Sequence, residues 1–257
     1  MAATLTSDVE IHELRAQLQA TAWRHIVVLT GAGISVASGL PTYRGPGGLW
    51  TRPDIEEVPD AAMLARDPAR IWTLFGPLRG SILTAAPNPA HLALADWEAR
   101  SPETTSFTLL TQNVDGLHGR AGSRNIVELH GALLRTRCCN PACTLSPFED
   151  TAEHPAPPLC TVCGQPLRPD ITLFDEPLPV DAEWAAKKAL RECELFLAIG
   201  TSGTVAPASN FVRGAKYAGA RTLLVNLTPM QPRHPDFDIE VLGRAERVLP
   251  LLLGAAS

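Results

Sequence analysis

Four short apolar runs govern what this chain can fold into. His25-Ile26-Val27-Val28-Leu29 leads into Thr30-Gly31-Ala32-Gly33, and Phe107-Thr108-Leu109-Leu110 into Thr111-Gln112-Asn113-Val114-Asp115. Leu195-Phe196-Leu197-Ala198-Ile199 ends in Gly200-Thr201-Ser202, and Leu223-Leu224-Val225 in Asn226. The runs show little alternation, which is how strands buried on both faces read. Helical patterns lie between them at 88–100, 183–194 and about 206–218. Strands alternating with such helices imply βαβ crossovers and a parallel sheet with helices on both faces, an α/β fold. Ligands of these sheets bind beyond the carboxyl ends of the strands. The small and polar residues that close all four runs therefore mark the expected site.

Two stretches break the alternation. Residues 45–87 are rich in Gly, Pro and Asp, with a helical piece around Pro68 to Leu83. Residues 134–170 carry seven prolines and a cysteine cluster. Both read as insertions that together form a smaller lobe. Upstream of the first run, Ser7-Asp8-Val9-Glu10 reads as a capping box opening a helix to about Ala22.

Lys plus Arg is 22 and Asp plus Glu 27, a net charge of −5 without a basic block. That balance speaks against a nucleic-acid partner. No run reaches the roughly 18 apolar residues of a membrane span. The N-terminus lacks the layout of a secretory signal, so a cytoplasmic, non-membrane protein is expected. Six cysteines in 257 residues do not suggest a secreted disulfide scaffold.

Gly31-Ala32-Gly33-Ile34-Ser35 follows a strand, and its glycines allow backbone N–H groups to approach a phosphate. The dinucleotide fingerprint fails because Val36 stands at the third glycine position, and no Lys makes it a Walker loop. A plain tight turn is the competing reading. Cys138, Cys143, Cys160 and Cys163 are spaced C-x4-C, 16 residues, C-x2-C, as for a closed structural zinc site. Cys139 competes with Cys138 for the first position, and two disulfides or free thiols are the alternative to metal. Cys193 reads as a packing residue. Gln112, Asn113 and Asp115 suit ribose hydroxyls or a carboxamide, or simply cap a turn. His130, between the apolar run 126–129 and Gly131, is a candidate general base, a capping or structural His being the alternative. His118 carries no assignment. No G-x-S-x-G or H-E-x-x-H pattern is present.

Taken in order, several of these stretches resemble the sirtuin family of NAD-dependent protein deacylases. They are Gly31-Ala32-Gly33-Ile34-Ser35, Ser38-Gly39-Leu40-Pro41-Thr42-Tyr43-Arg44-Gly45, Thr111 to His118, and His130-Gly131. The four cysteines, Arg168-Pro169-Asp170, Gly200-Thr201-Ser202 and Val225-Asn226 follow. The resemblance covers about residues 25 to 250 and implies one catalytic domain over 1–257. It implies a Rossmann-like lobe (about 22–45, 88–133 and 171–250) and a small lobe of a helical module (46–87) and a zinc module (134–170). NAD is then consumed as co-substrate, the acyl oxygen of an acyl-lysine protein or peptide attacks the ribose C1′, and nicotinamide and O-acyl-ADP-ribose leave.

By position, the resemblance makes His130 the base, with Asn113 and Asp115 as catalytic partners that, with Gln112 and Val114, hold the nicotinamide ribose and carboxamide region. Gly31, Ala32 and Gly33 line the pyrophosphate, and Tyr43 and Arg44 cover the reacting ribose. Gly200, Thr201, Ser202, Asn226 and Ala245 line the adenosine side. Oligomeric state stays open, a monomer included.

Three departures from the family pattern bear on specificity. Tyr43 stands where many members have Phe, a planar exchange. The run Pro41-Thr42-Tyr43-Arg44-Gly45 with Gly47-Gly48-Leu49-Trp50 resembles the branch that removes succinyl and malonyl groups. The Tyr and Arg with which that branch reads the acyl carboxylate are here Phe75 and Leu78. A buried carboxylate without its partner costs several kcal/mol, and Arg79 is turned about 100° away on a helix. A neutral acyl group, acetyl or longer apolar, is therefore expected. Asp175, in Phe174-Asp175-Glu176, replaces the usual Gly of a segment that clamps the substrate backbone as an added strand. Asp tolerates left-handed backbone better than most residues, and its charge is expected to favour basic flanking residues. The competing functions are NAD glycohydrolysis or ADP-ribosyl transfer, and a catalytically idle NAD- or ADP-ribose-binding module.

Overall fold

The computed structural model describes residues 3–44, 47–51 and 57–254; Gly45 of the resemblance lies outside them. Its strands are β1 (Ala3–Leu5), β2 (His25–Thr30), β3 (Ser106–Thr111), β4 (Ile126–Glu128), β5 (Gly131–Cys138), β6 (Phe148–Glu149), β7 (Leu167–Ile171), β8 (Leu195–Ile199), β9 (Arg221–Asn226) and β10 (Ile239–Leu242). Its helices are α1 (Asp8–Gln19), α2 (Ala61–Arg66), α3 (Pro68–Thr84), α4 (Pro89–Arg100), α5 (Leu117–Arg120), α6 (Val180–Arg191), α7 (Phe211–Tyr217) and α8 (Ala245–Leu253). Short 3-10 turns occupy Ala32–Ser38, Leu49–Thr51 and Ala208–Asn210.

Seven strands make one parallel sheet in the order β1-β10-β9-β8-β2-β3-β4. Successive side chains of a strand point to opposite faces. Val28, Leu109, Leu197 and Val225 pack into one core with residues of α1, α4 and α8. Val27, Leu29, Phe196 and Leu224 pack into a second with residues of α6 and α7. Both faces are covered, which is the physical reason the runs are apolar at every position. A separate antiparallel sheet, β6-β5-β7, belongs to the smaller lobe. There Met63, Ile71, Phe75 and Ile82 of α2 and α3 pack on Leu133 and Ile171 of β5 and β7.

Several element ends differ from expectation. The capping box of α1 forms, Ser7 N donating to Glu10 Oε2 at 2.9 Å. The helix stops at Gln19 rather than about Ala22, because the Trp23 indole N–H takes the Leu18 carbonyl at 2.8 Å. Helix α6 lies about three residues earlier than the pattern suggested. Glu194 N bonds His25 O (2.9 Å) and so belongs to the approach to β8. The pattern at 206–218 splits into a 3-10 turn and α7. Strands β1 and β10, of three and four residues, are too short for a periodicity signal.

Candidate active site

Reading outward from β2, the chain adds β3 and β4 on one side, while β8, β9 and β10 lie on the other. The loops after β2 and β8 therefore diverge from a common point, where an α/β sheet opens a crevice. They touch before they part: Gly31 N bonds Ile199 O and Gly33 N bonds Gly200 O, both at 2.9 Å. A Cβ on Gly33 would stand 2.7 Å from Gly200 Cα, and Gly200 itself has φ +61°. Glycine is required at both positions by close approach of two backbones. Above them lies a cavity of about 760 Å³.

The polar wall comes from the end of β3. Asn113 is buried; its Nδ2 donates to Gly31 O (3.2 Å) and Ser35 Oγ (3.3 Å). Its Oδ1 is buried with no hydrogen-bond partner among the described residues. An orphaned acceptor on a cavity wall is costly unless a ligand supplies a donor. Asp115 lies beneath, accepting from Ser35 Oγ (2.7 Å) and Leu117 N (2.9 Å), and is not part of the cavity wall. Burial raises its carboxyl above the ordinary range, against the bonds that lower it. Gln112 spans the crevice, Nε2 donating to Thr201 Oγ1 at 3.1 Å.

His130 sits where the two sheets meet. Leu129 N bonds Thr111 O, and Thr172 N bonds His130 O, both at 2.9 Å. Gly131 follows at φ +76°, where a Cβ would lie 2.1 Å from Asp170 O. The His130 Nδ1 lies 2.9 Å from the Gln112 carbonyl oxygen. A carbonyl only accepts, so Nδ1 carries the proton and Nε2 keeps its lone pair. Burial pushes the imidazole below its usual 6.5, the Gln112 bond pulling weakly upward. A neutral ring with one basic nitrogen thus lines the cavity.

Gly31, Ala32, Gly33, Val114 and Arg44 also line the cavity, and Gly200, Thr201, Ser202, Asn226 and Ala245 line its far half. Asn226 Nδ2 ties that half together through Thr201 O at 2.9 Å. The near end is aromatic: Tyr43, Phe75 and Phe174 line it together with Trp50, a residue to which the sequence pattern assigned no role. The Arg44 guanidinium lies 5.6 Å over the Phe174 ring. Leu78 is buried in the small-lobe core rather than on the cavity wall. Arg79 points away, donating to Asp150 O (2.7 Å), Ala152 O (3.1 Å) and Leu133 O. Asp175 adopts φ +63°, the left-handed backbone for which its side chain is suited. Next to it, Glu176 is held by the buried Arg168 through Oε1 (2.5 Å) and Oε2 (2.9 Å).

Two buried histidines stand behind this wall, both missed as functional neighbours. His118 Nε2 is 2.9 Å from Thr30 Oγ1, and His91 Nε2 is 3.5 Å from Ser35 Oγ. For His91 the signal was Asn88, three residues earlier, which opens α4 with a capping box; His118 closes the Thr111–His118 stretch of the family pattern but carried no assignment.

In the smaller lobe the Sγ atoms of Cys138, Cys143, Cys160 and Cys163 lie within 4.8 Å of one another. Cys138 and Cys163 are 3.5 Å apart, Cys143 and Cys160 3.6 Å. A tetrahedral ion with Zn–S bonds of about 2.3 Å sets its sulfurs about 3.8 Å apart. The four thiols fit zinc, and all are free of disulfides. Cys139 is outside the cluster.

Comparison with known proteins follows the same lines. The sequence profile described as the Sir2 family matches residues 31–207. The chain is 46% identical over 230 residues to NAD-dependent protein deacylase 2 of Pyrobaculum aerophilum, covering 90% of each chain. A crystal structure of a Sir2 homologue–NAD complex superimposes with a TM-score of 0.84 at 32% identity, over 99% of this chain and 95% of that one. A Sir2–p53 peptide–NAD+ complex does so with 0.77 at 27% identity, over 96% and 98%.

Proposed function

The chain belongs to the Sir2 family, and from that premise we propose how its cleft works as an NAD-dependent protein deacylase. The observation that carries the reading is the imidazole of His130, fixed through Nδ1 by the Gln112 carbonyl at 2.9 Å. NAD supplies a ribose carbon bonded to nicotinamide, a cationic leaving group whose departure needs no general acid. The Gly31-Ala32-Gly33 loop against Gly200 receives the pyrophosphate, and Thr201, Ser202, Asn226 and Ala245 receive the adenosine. Asn113 Oδ1 accepts a donor from the nicotinamide side, beside Gln112 and Val114, and Asp115 holds Asn113 in place through Ser35. Tyr43 and Arg44 cover the reacting ribose. His130 Nε2 takes a proton from a ribose hydroxyl, and the Gln112 carbonyl stabilises the imidazolium that forms. The thiolates of Cys138, Cys143, Cys160 and Cys163 hold a structural zinc ion.

The substrate is an acyl-lysine on a protein or peptide, and its acyl group is neutral. Phe75, backed by Leu78, offers a carboxylate no partner, and Arg79 is engaged by three backbone carbonyls and faces the Asp150 carboxylate at 3.8 Å. Phe174 lines the approach of the peptide. The chain acts as one catalytic domain, its Rossmann-like lobe at about 22–45, 88–133 and 171–250 and its small lobe at 46–87 and 134–170. Its setting is the cytoplasm, without nucleic acid or membrane. No helix among the described residues is long and apolar enough to cross one.

The test is a panel of acetyl-, succinyl- and decanoyl-lysine peptides, with nicotinamide and O-acyl-ADP-ribose quantified together. Equal amounts of both products, formed only with peptide present, are expected. Nicotinamide release without peptide would instead support NAD glycohydrolysis or ADP-ribosyl transfer. NAD binding without turnover would support an idle binding module. Dominant desuccinylation would refute the neutral-acyl assignment.

A further inference from the structure

We propose that Trp50 ends the acyl channel and sets the longest acyl group the cleft accepts; this rests on the deacylase reading above. Gly48, Leu49 and Trp50 lie back against Thr42, Tyr43 and Arg44. Gly48 passes so close to Arg44 that a Cβ would lie 2.8 Å from the Arg44 backbone. Leu49 N then bonds Thr42 O at 2.8 Å and Trp50 N bonds Tyr43 O at 3.0 Å. This pairing folds the indole over the cavity instead of into solvent. Trp50 stacks on Tyr43, with centroids 5.5 Å apart and planes at 27°. It meets Phe75 edge-on at 6.1 Å and 87°, and Phe174 at 6.1 Å and 73°.

One ring therefore touches the cofactor-side wall, the acyl-end wall and the substrate clamp. All four rings line the cavity. Aromatic groups in contact at these distances leave no room between them for a methylene chain. An acetyl group stops short of the indole, whereas a chain that continues past Phe75 meets it. Such a chain enters only if Trp50 and its one-turn loop move, and the cost of that movement discriminates by length. The surroundings differ from a charged reader: an aromatic stop selects by size and leaves the sign of the acyl charge to Phe75.

The experiment compares wild type, Trp50→Ala and Trp50→Phe on one peptide carrying acetyl-, butyryl-, hexanoyl- or decanoyl-lysine. Values of kcat/KM come from O-acyl-ADP-ribose formation. Removing the indole should raise the decanoyl-to-acetyl ratio by roughly tenfold or more, mainly through a lower KM for the long chain, with Trp50→Phe between. An unchanged ratio, or a shift toward acetyl, in either variant that keeps its thermal transition overturns the proposal. If Trp50→Ala fails to fold, the ratio in Trp50→Phe decides. If the wild type turns over no acyl-lysine at all, the deacylase reading fails and the proposal falls with it. Wild-type turnover with a ratio insensitive to Trp50 refutes the channel stop alone.

Discussion

Lowering the pH from 7 to 5 is expected to remove about 4 kcal/mol of folding stability through two imidazoles that stand behind the cleft. His91 and His118 are 0% and 2% exposed, and their rings lie 4.9 Å apart. His91 Nδ1 accepts from Asn88 N at 3.3 Å, and His118 Nδ1 has no partner among the described residues. Burial pushes His91 down to about 4. Burial and then the charge of His91 push His118 down to about 3. In the unfolded chain each ring titrates near 6.5. Between that value and the folded one, the unfolded state binds the extra proton, so stability falls as pH falls through this window. At pH 5 the unfolded imidazole is about 1.5 pH units below its pKa and the folded one is still neutral. Each ring then contributes roughly 2 kcal/mol of loss, a large share of a total near 5–15 kcal/mol.

His130, also lowered, acts in the same direction, whereas the raised carboxyls of Asp115 and Glu128 oppose it. The informative quantity is therefore the difference between proteins. Urea unfolding at pH 7 and pH 5 should show His91→Asn and His118→Asn each losing about 2 kcal/mol less than wild type over the interval. Variants whose pH dependence runs parallel to that of the wild type would refute the reasoning.

His130→Ala should retain NAD binding by calorimetry and lose turnover by 10²-fold or more, about the effect of a general base; undiminished turnover would remove its assignment. Because protonation inactivates the base and burial lowers its pKa, the acid limb of kcat/KM should fall below pH 6.5, not above it. Gly33→Ala forces a Cβ to 2.7 Å from Gly200 Cα. It should cost about 1–3 kcal/mol in stability and raise the KM for NAD, as unfolding and initial-rate measurements would show. Arg168→Ala strips Glu176 of a partner at 2.5 Å and should cost about 3–5 kcal/mol in urea unfolding, with the KM for peptide rising more than that for NAD. Metal analysis should find one zinc per chain, and chelation should lower Tm by unravelling the knuckles of the small lobe.

The parallel sheet was legible because both of its faces are covered, leaving an unbroken apolar signature in β2, β3, β8 and β9. Their polar ends were legible as a site for the same reason: strand order obliges them to face one crevice. Glycine at 31, 33 and 200 was recognisable as a pattern, but its cause is contact between loops 169 residues apart (200 − 31 = 169), which only the fold creates. Phe75 and Leu78 looked alike on a helical count, three residues apart. Both pack into the small-lobe core, but the roughly 300° step between them on α3 leaves only Phe75 also on the cavity wall. Asp115 was read with Asn113 as holding the nicotinamide region; what only the fold reveals is that its carboxylate accepts from Ser35 Oγ and Leu117 N.

By itself, then, the order of residues determined the four central strands β2, β3, β8 and β9, where their polar tips fall, and that four thiols come in two knuckles. These follow from local composition and spacing, because hydrophobic periodicity and metal chelation act over a few residues at a time. Tertiary structure alone decided that Cys138 and not Cys139 joins the cluster, which nitrogen of His130 is free, and that Trp50 closes against Tyr43, Phe75 and Phe174. Each of those outcomes depends on the direction of a side chain toward atoms brought together by packing of distant elements, and short-range sequence patterns carry no information about such directions.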